Sequence, residues 1–178
     1  MELFKGTIAL AILGLTLLML ITAIVSLFLQ VPYVPTKKQV VQKMLKVAGL
    51  KNNAVVYDLG CGDGRLLFEA EKIKKIQAKG YELAPIPYLL AQIKKRLSHS
   101  KITIALSNFF SANLKDANII FCYLGPETMS ALYKKIKKEC KKGTKIISNT
   151  FSIKGVKPSK VWARNPKEKL PNIYLYEI

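Results

Sequence analysis

The stretch "VVYDLGCGDGRLLFEA", residues 55–70, runs from a β-branched apolar segment through Asp58 into a glycine-dense turn and out into a helical pattern. Glycines in a strand-to-helix turn let the backbone approach a ligand closely and take dihedrals that a side chain forbids. Spacing discriminates between ligands. A dinucleotide-binding turn reads G-x-G-x-x-G and aims its helix N-terminus at a pyrophosphate. Here the order is Gly60-x-Gly62-x-Gly64, and an acid, Asp58, stands two residues before the first glycine. A carboxylate beside the loop repels a pyrophosphate and suits a cation. A phosphate-binding loop is absent, because Arg65 and Leu66 rather than Lys and Ser/Thr follow Gly64.

Outward from this turn the pattern alternates. Strands are predicted at 54–59, 76–83, 101–106, 117–124 and 143–151, with helices at 63–75, 85–97 and 126–140 between them. Such alternation predicts an α/β fold with a mostly parallel sheet and helices on both faces. Two late strands, near 159–164 and 172–178, are joined by "NPKEKLP" and read as a hairpin adding antiparallel character at one edge. In a doubly wound sheet the ligand sits at the carboxyl ends of the strands where strand order reverses. The glycine turn is the usual contact.

The amino-terminal part has a different character. From Gly6 to Thr36 there is no Asp, Glu, Lys or Arg, and residues 7–30 are dominated by Leu, Ile, Ala and Val. A helix of that length spans roughly 36 Å, enough to cross a hydrocarbon core of about 30 Å. The apolar run exceeds that of a cleaved signal and shows no small-x-small cleavage site. A transmembrane anchor over 1–30 is therefore expected, followed by a linker and pre-core helix over 31–50 and the α/β domain over 51–178. Pro32 and Pro35 stop the membrane helix, Thr36 can cap the next one, and that helix ends at Gly49. Lys37, Lys38, Lys43 and Lys46 follow the span, whereas Glu2 and Lys5 precede it, so the positive-inside bias puts the domain on the cytoplasmic side.

The formal net charge is +18, carried by residues 37–178 because Glu2 and Lys5 cancel. Such a domain is attracted to anionic lipid, nucleic acid or acidic protein. Only Arg65, Arg96 and Arg164 are arginines, which argues against sequence-specific nucleic-acid reading, where the bidentate guanidinium is favoured. Cys61, Cys122 and Cys140 show no paired spacing, and His99 is the one histidine. Neither a disulfide frame nor a metal site is suggested.

A second acid, Glu82, closes the second predicted strand, where a carboxylate can accept hydrogen bonds from both hydroxyls of a ribose. A nicotinamide cofactor would use the same acid, and a glycine turn without a ligand is a further reading. Asp58, the loop order and Glu82 together favour S-adenosylmethionine, which carries an ammonium and a sulfonium and no phosphate.

On these motifs the sequence resembles the class I, seven-strand S-adenosylmethionine-dependent methyltransferases over about 37–178. The resemblance implies a Rossmann-like seven-strand methyltransferase sheet with its last strand antiparallel. It also implies cofactor contacts from Asp58, the loop residues Gly60, Cys61, Gly62 and Gly64, and Glu82. At the end of the third strand, "SNFF" offers Asn108 and Phe109 to the adenine.

The acceptor is read from the end of the fourth strand, "FCYLGPE" (121–127). The Asp/Asn-Pro-Pro-Tyr/Phe clamp of amino-methylating DNA enzymes is absent, and no Pro-Cys motif supplies a nucleophile. "VPYVPTKKQVVQKMLKVAGL", "VVYDLGCGDGRL", "GYELAP" and "IIFCYLGPETMSAL" resemble the small membrane-anchored protein lysine methyltransferases that modify ATP synthase subunit c and the adenine nucleotide translocase. That resemblance implies a protein substrate, membrane-embedded or membrane-associated. Tyr33 and Thr36 would then fold over the cofactor. Tyr123, at the strand end, is read either as a wall of the lysine channel that orients the amine or as a half-buried sheet tyrosine. A methyltransferase of a small molecule or lipid, and a non-catalytic cofactor-binding or membrane scaffold protein, are the competing functions.

Overall fold

The fold was taken from a computed structural model, which describes residues 2–28 and 34–178. A 27-residue helix, α1 (Glu2–Phe28), precedes the domain. Within it Phe4–Ile24 is long and apolar enough to cross a membrane, and none of that span is buried in the protein.

In α2 (Lys38–Ala48), Val40, Val41, Met44, Leu45 and Ala48 recur at helical spacing and form the buried face. Gly49 ends the helix at φ +62°, the left-handed region that glycine enters without steric penalty. The N-cap position falls on Lys37 and makes no side-chain capping bond, so Thr36 does not cap the helix. Its carbonyl instead accepts from Arg65 Nη1 at 2.9 Å.

The strands are β1 (Val55–Leu59), β2 (Gln77–Glu82), β3 (Thr103–Leu106), β4 (Ile119–Cys122), β5 (Lys145–Asn149), β6 (Lys160–Trp162) and β7 (Ile173–Glu177). Between them lie α3 (Arg65–Ile73), α4 (Pro85–Leu97) and α5 (Pro126–Glu139). The seven strands form one sheet in the order β3-β2-β1-β4-β5-β7-β6. The first five pair in parallel, whereas β7 is antiparallel to both β5 and β6. The expected seven-strand sheet and terminal hairpin are therefore present. The hairpin is inserted with β7 inside and β6 at the edge.

Side chains alternate across the sheet, as the strand period of two requires. In β4, Ile119 and Phe121 join Val56, Leu67 and Ala91 on the face covered by α2, α3 and α4. Ile120 and Cys122 join Tyr57, Leu59, Leu132 and Ile136 on the face covered by α5. Strand order reverses between β1, paired with β2 on one side, and β4 on the other. A crevice opens there at the carboxyl ends of the strands.

Candidate functional site

Val56 to Leu59 are buried, so β1 delivers Asp58 to its carboxyl end already removed from solvent, 7% exposed. The turn that follows is fastened to the neighbouring strand, because Gly60 N–H and Cys61 N–H both donate to the Tyr81 carbonyl, at 2.9 and 3.0 Å. Gly60, Gly62 and Gly64 have φ of +80°, +56° and +74°. Gly64 has a further reason to be glycine: a Cβ there would lie 2.9 Å from Ile104 Cδ1 and 3.0 Å from Phe68 Cε2.

Glu82 completes the loop from the other side. Its Oε2 accepts from Gly62 N–H at 2.7 Å, and its Oε1 accepts from Leu83 N–H at 2.9 Å and Ala84 N–H at 2.8 Å. Three of about four acceptor positions on the carboxylate are thus filled by backbone, and one remains.

These residues line a cavity of about 350 Å³. Of the residues singled out in the sequence, Thr36, Asp58, Gly60, Cys61, Gly62, Glu82, Asn108, Phe109 and Tyr123 all line it. Gly64 stands just behind the lining, at the N-cap of α3. Tyr33 lies outside the described residues. Asn108 Oδ1 accepts from Phe110 N–H at 2.9 Å, which starts the 3-10 turn Phe109–Ser111 and presents both phenyl rings, 4.8 Å apart, at the rim.

The loop side of the cavity is electrostatically unbalanced. Burial, reinforced by the charges of Glu82 and Asp63, pushes the Asp58 carboxyl up to about 8. Burial and the charges of Asp58 and Glu82 raise the Cys61 thiol well above its usual range, so it is held as an inert thiol. A cation placed among these groups would relieve the repulsion, whereas an anion would add to it.

Asp63, which the sequence reading passed over, organises the entrance. Burial acts to raise its carboxyl, but hydrogen bonds from Arg65 and Lys94 outweigh that and hold it down at about 2. Arg65 Nε and Nη2 donate to the two Asp63 oxygens at 2.8 and 2.9 Å while Nη1 holds the Thr36 carbonyl. Lys94 Nζ on α4 also bonds Asp63 Oδ2. One carboxylate thereby joins the glycine loop to the segment before α2 and to α4. The spacing "GDGR" contained that pair.

Beside this loop the end of β4, where Cys122 pairs with Leu59, supplies a second wall of the cavity. Tyr123 follows β4 and stacks on Phe151, ring centroids 6.0 Å apart and planes 21° apart. Phe151 was expected as the last residue of a strand over 143–151, but β5 ends at Asn149. Thr150 sits at φ +68°, and Phe151 N–H donates to the Asn149 carbonyl at 2.7 Å. That is a γ-turn with a β-branched residue at its centre, a strained arrangement. Ser148 Oγ donates to the Phe151 carbonyl at 2.6 Å and locks it. Cys122 is buried, and its thiol is pushed up to about 12, chiefly by that burial.

A reversal-point cavity with an acidic glycine loop and a closing acid on β2, in a seven-strand sheet with an antiparallel β7, defines an S-adenosylmethionine-dependent methyltransferase. The chain belongs to the family of the ANTKMT methyltransferase domain, whose model matches residues 58–160. It is 37% identical over 153 residues to a protein-lysine N-methyltransferase of Saccharolobus islandicus, covering 83% of this chain and 94% of that one. It is 28% identical to the adenine nucleotide translocase lysine N-methyltransferase of Mus musculus, over 78% of this chain and 65% of that protein. Among solved structures it resembles an RNA methyltransferase of Salinibacter ruber in complex with S-adenosyl-L-homocysteine. The TM-score is 0.76 at 25% identity, over 82% of this chain and 94% of that one.

Proposed function

We propose that the enzyme transfers a methyl group from S-adenosylmethionine to the ε-amine of a lysine on a membrane-associated protein. Helix α1 would act as a single-pass anchor over 1–30, with the linker and α2 over 31–50 and the catalytic domain over 51–178 on the cytoplasmic side. The observation that carries the reading is one cavity in which an acidic loop that suits the donor adjoins an aromatic wall that suits an alkyl amine. The 37% identity to a protein-lysine N-methyltransferase supports the acceptor class.

Bound in this cavity, S-adenosylmethionine supplies an electrophilic methyl on a sulfonium. Asp58 and the loop of Gly60, Cys61, Gly62 and Gly64 would face its charged methionine end, and the remaining acceptor position of Glu82 a ribose hydroxyl. Asn108 and Phe109 would flank the adenine, while Thr36 would lie over the cofactor. The amine must arrive neutral, and the apolar walls made by Tyr123 and Phe151 favour loss of its proton before attack. The cofactor would supply the methyl in an in-line displacement that leaves a neutral thioether, and Tyr123 and Phe151 would hold the neutral amine for it. Tyr123 orients the amine through its hydroxyl, and the proton shed by the methylated nitrogen returns to solvent.

A second reading, methylation of RNA, is favoured by the likeness to the Salinibacter enzyme and the +18 charge. Membranes and total extract from cells lacking the chain, incubated with the full-length enzyme and tritiated cofactor, separate the readings. The expected result is label in a protein band, recovered as methyl-lysine after hydrolysis. Label removed by ribonuclease would establish the RNA reading, and label only in the lipid extract would establish a lipid acceptor.

A further inference from the structure

Helix α4 has two apolar faces. Pro87 and Ala91 are buried against the sheet. On the opposite side Ile86, Leu89, Leu90, Ile93 and Leu97 recur at three- and four-residue steps, which gathers them into one stripe about 100° wide. Leu89, Leu90, Ile93 and Leu97 are 42%, 44%, 56% and 77% exposed. The outer face of a helix that layers a sheet is ordinarily polar, and a contiguous apolar patch there marks an interaction surface.

Helix α1 identifies the occupant. It packs against α4, and Ile86 N–H donates to Thr22 Oγ1 at 3.4 Å. Thr22 lies two residues from Ile24, where the apolar span ends. A helix that crosses a bilayer over that span carries Thr22 at the boundary between acyl chains and headgroups, and Ile86 with it. The stripe therefore begins at the membrane surface. Arg96 is exposed beside the stripe, Lys95 is half-buried, and the net charge is +18. Such a surface is complementary to anionic headgroups.

We propose that α4 lies in the plane of an anionic leaflet, with Leu89, Leu90, Ile93 and Leu97 seated at the headgroup boundary in the manner of an interfacial amphipathic helix. This rests on α1 being an anchor, and it gives the domain a second point of attachment. Because Lys94 of α4 pairs with Asp63 between Gly62 and Gly64, seating α4 also fixes the cofactor loop relative to the bilayer.

The test uses the full chain in lipid nanodiscs containing phosphatidylserine and a brominated phosphatidylcholine that quenches tryptophan near the acyl chains. Trp162, the single tryptophan, is replaced by Phe, and one tryptophan is introduced by Leu13→Trp, Ile93→Trp or Lys72→Trp. Docking predicts quenching at positions 13 and 93 that is several-fold stronger than at 72. Strong quenching at 13 with position 93 matching 72 overturns the docking and leaves the anchor standing. No quenching at 13 removes the anchor, and position 93 then decides the docking alone. Emission at 93 that ignores brominated lipid but changes when the protein is diluted in lipid assigns the stripe to a second copy of the chain. That too overturns the proposal. Replacing phosphatidylserine by phosphatidylcholine is expected to weaken quenching at 93, and an unchanged value refutes the anionic preference.

Discussion

At the donor end of the cavity the polar groups are held by backbone. Glu82 accepts from three N–H groups, and Gly60 and Cys61 hang on the Tyr81 carbonyl. At the acceptor end two rings stack across the ends of β4 and β5, one of them placed by a strained turn. On the proposed assignment the difference follows from the task of each end. A donor of fixed structure is served by a rigid loop that tolerates few side chains. The acceptor varies between enzymes, and side chains at strand ends can change without disturbing the sheet.

The largest effect should come from Asp58, where the donor end stores repulsion that a cation relieves. In Asp58→Ala the cofactor should bind about 10- to 100-fold more weakly by titration calorimetry, the value of a hydrogen bond to a charged group. The pH dependence has a definite sign. The folded protein without cofactor holds the Asp58 proton up to about 8, against 3.8 for the ordinary carboxyl. Between those values the unfolded chain binds fewer protons, so this group makes the cofactor-free fold less stable as pH rises from about 4 to about 8. Cofactor binding should release a proton, and affinity should weaken by up to about tenfold per unit as pH falls below 8. Asp58→Asn should flatten that profile and raise the Tm of the cofactor-free protein at pH 8. An unchanged profile in the Asn variant would mean that the carboxylate does not meet the donor's charge.

Glu82→Gln tests whether the donor end is rigid because it is bonded to backbone. The amide offers one acceptor oxygen where the carboxylate offered two, so at least one of the Gly62, Leu83 and Ala84 N–H groups is left weakly paired. A loss of about 1–3 kcal/mol is expected, read as a fall in Tm without cofactor present. A variant with unchanged Tm and weakened cofactor binding would instead give Glu82 a purely ligand-facing role.

Much of this end was legible in the sequence because its determinants are local. Glycine order, a leading acid and a strand-terminal Glu are fixed by spacing along "VVYDLGCGDG" and "GYEL", and the period of the apolar residues placed the strands to within a few positions. What escaped depends on contacts distant in sequence. Asp63 acquires its role from Lys94, 31 residues away, and Thr36 gives its carbonyl to Arg65, 29 residues away, rather than capping a helix. The outer stripe of α4 was present in the helical pattern of 85–97. A periodicity cannot say which of two apolar faces meets the sheet.

The acceptor end is expected to respond more weakly and in a different observable. Phe151→Ala removes one wall beside Tyr123 and leaves the donor loop intact. The stacked pair is worth about 0.5–1.5 kcal/mol beyond its buried area, so KM for the protein acceptor should rise about 2- to 12-fold. The Kd for cofactor should stay within error. A fall in cofactor affinity would show that the two ends are one mechanical unit and erase the distinction between them.

The smallest effect, and the one that bears most on why the two ends differ, is expected from Thr150. Its φ of +68° costs a β-branched residue about 1–2 kcal/mol, a penalty glycine escapes. The replacement also gives the unfolded chain more freedom, which offsets part of the gain by about 0.4–1 kcal/mol. Thr150→Gly should therefore leave Tm unchanged or raise it by at most about 6 °C. If the strain serves to aim Phe151, the same variant should raise KM for the acceptor while the fold gains or keeps its stability. A variant that is more stable and equally active would reduce the turn to a local compromise of β5 with the β7 hairpin, where Thr150 N–H donates to the Asn172 carbonyl at 2.8 Å. The acceptor end would then owe its shape to the Tyr123–Phe151 contact alone.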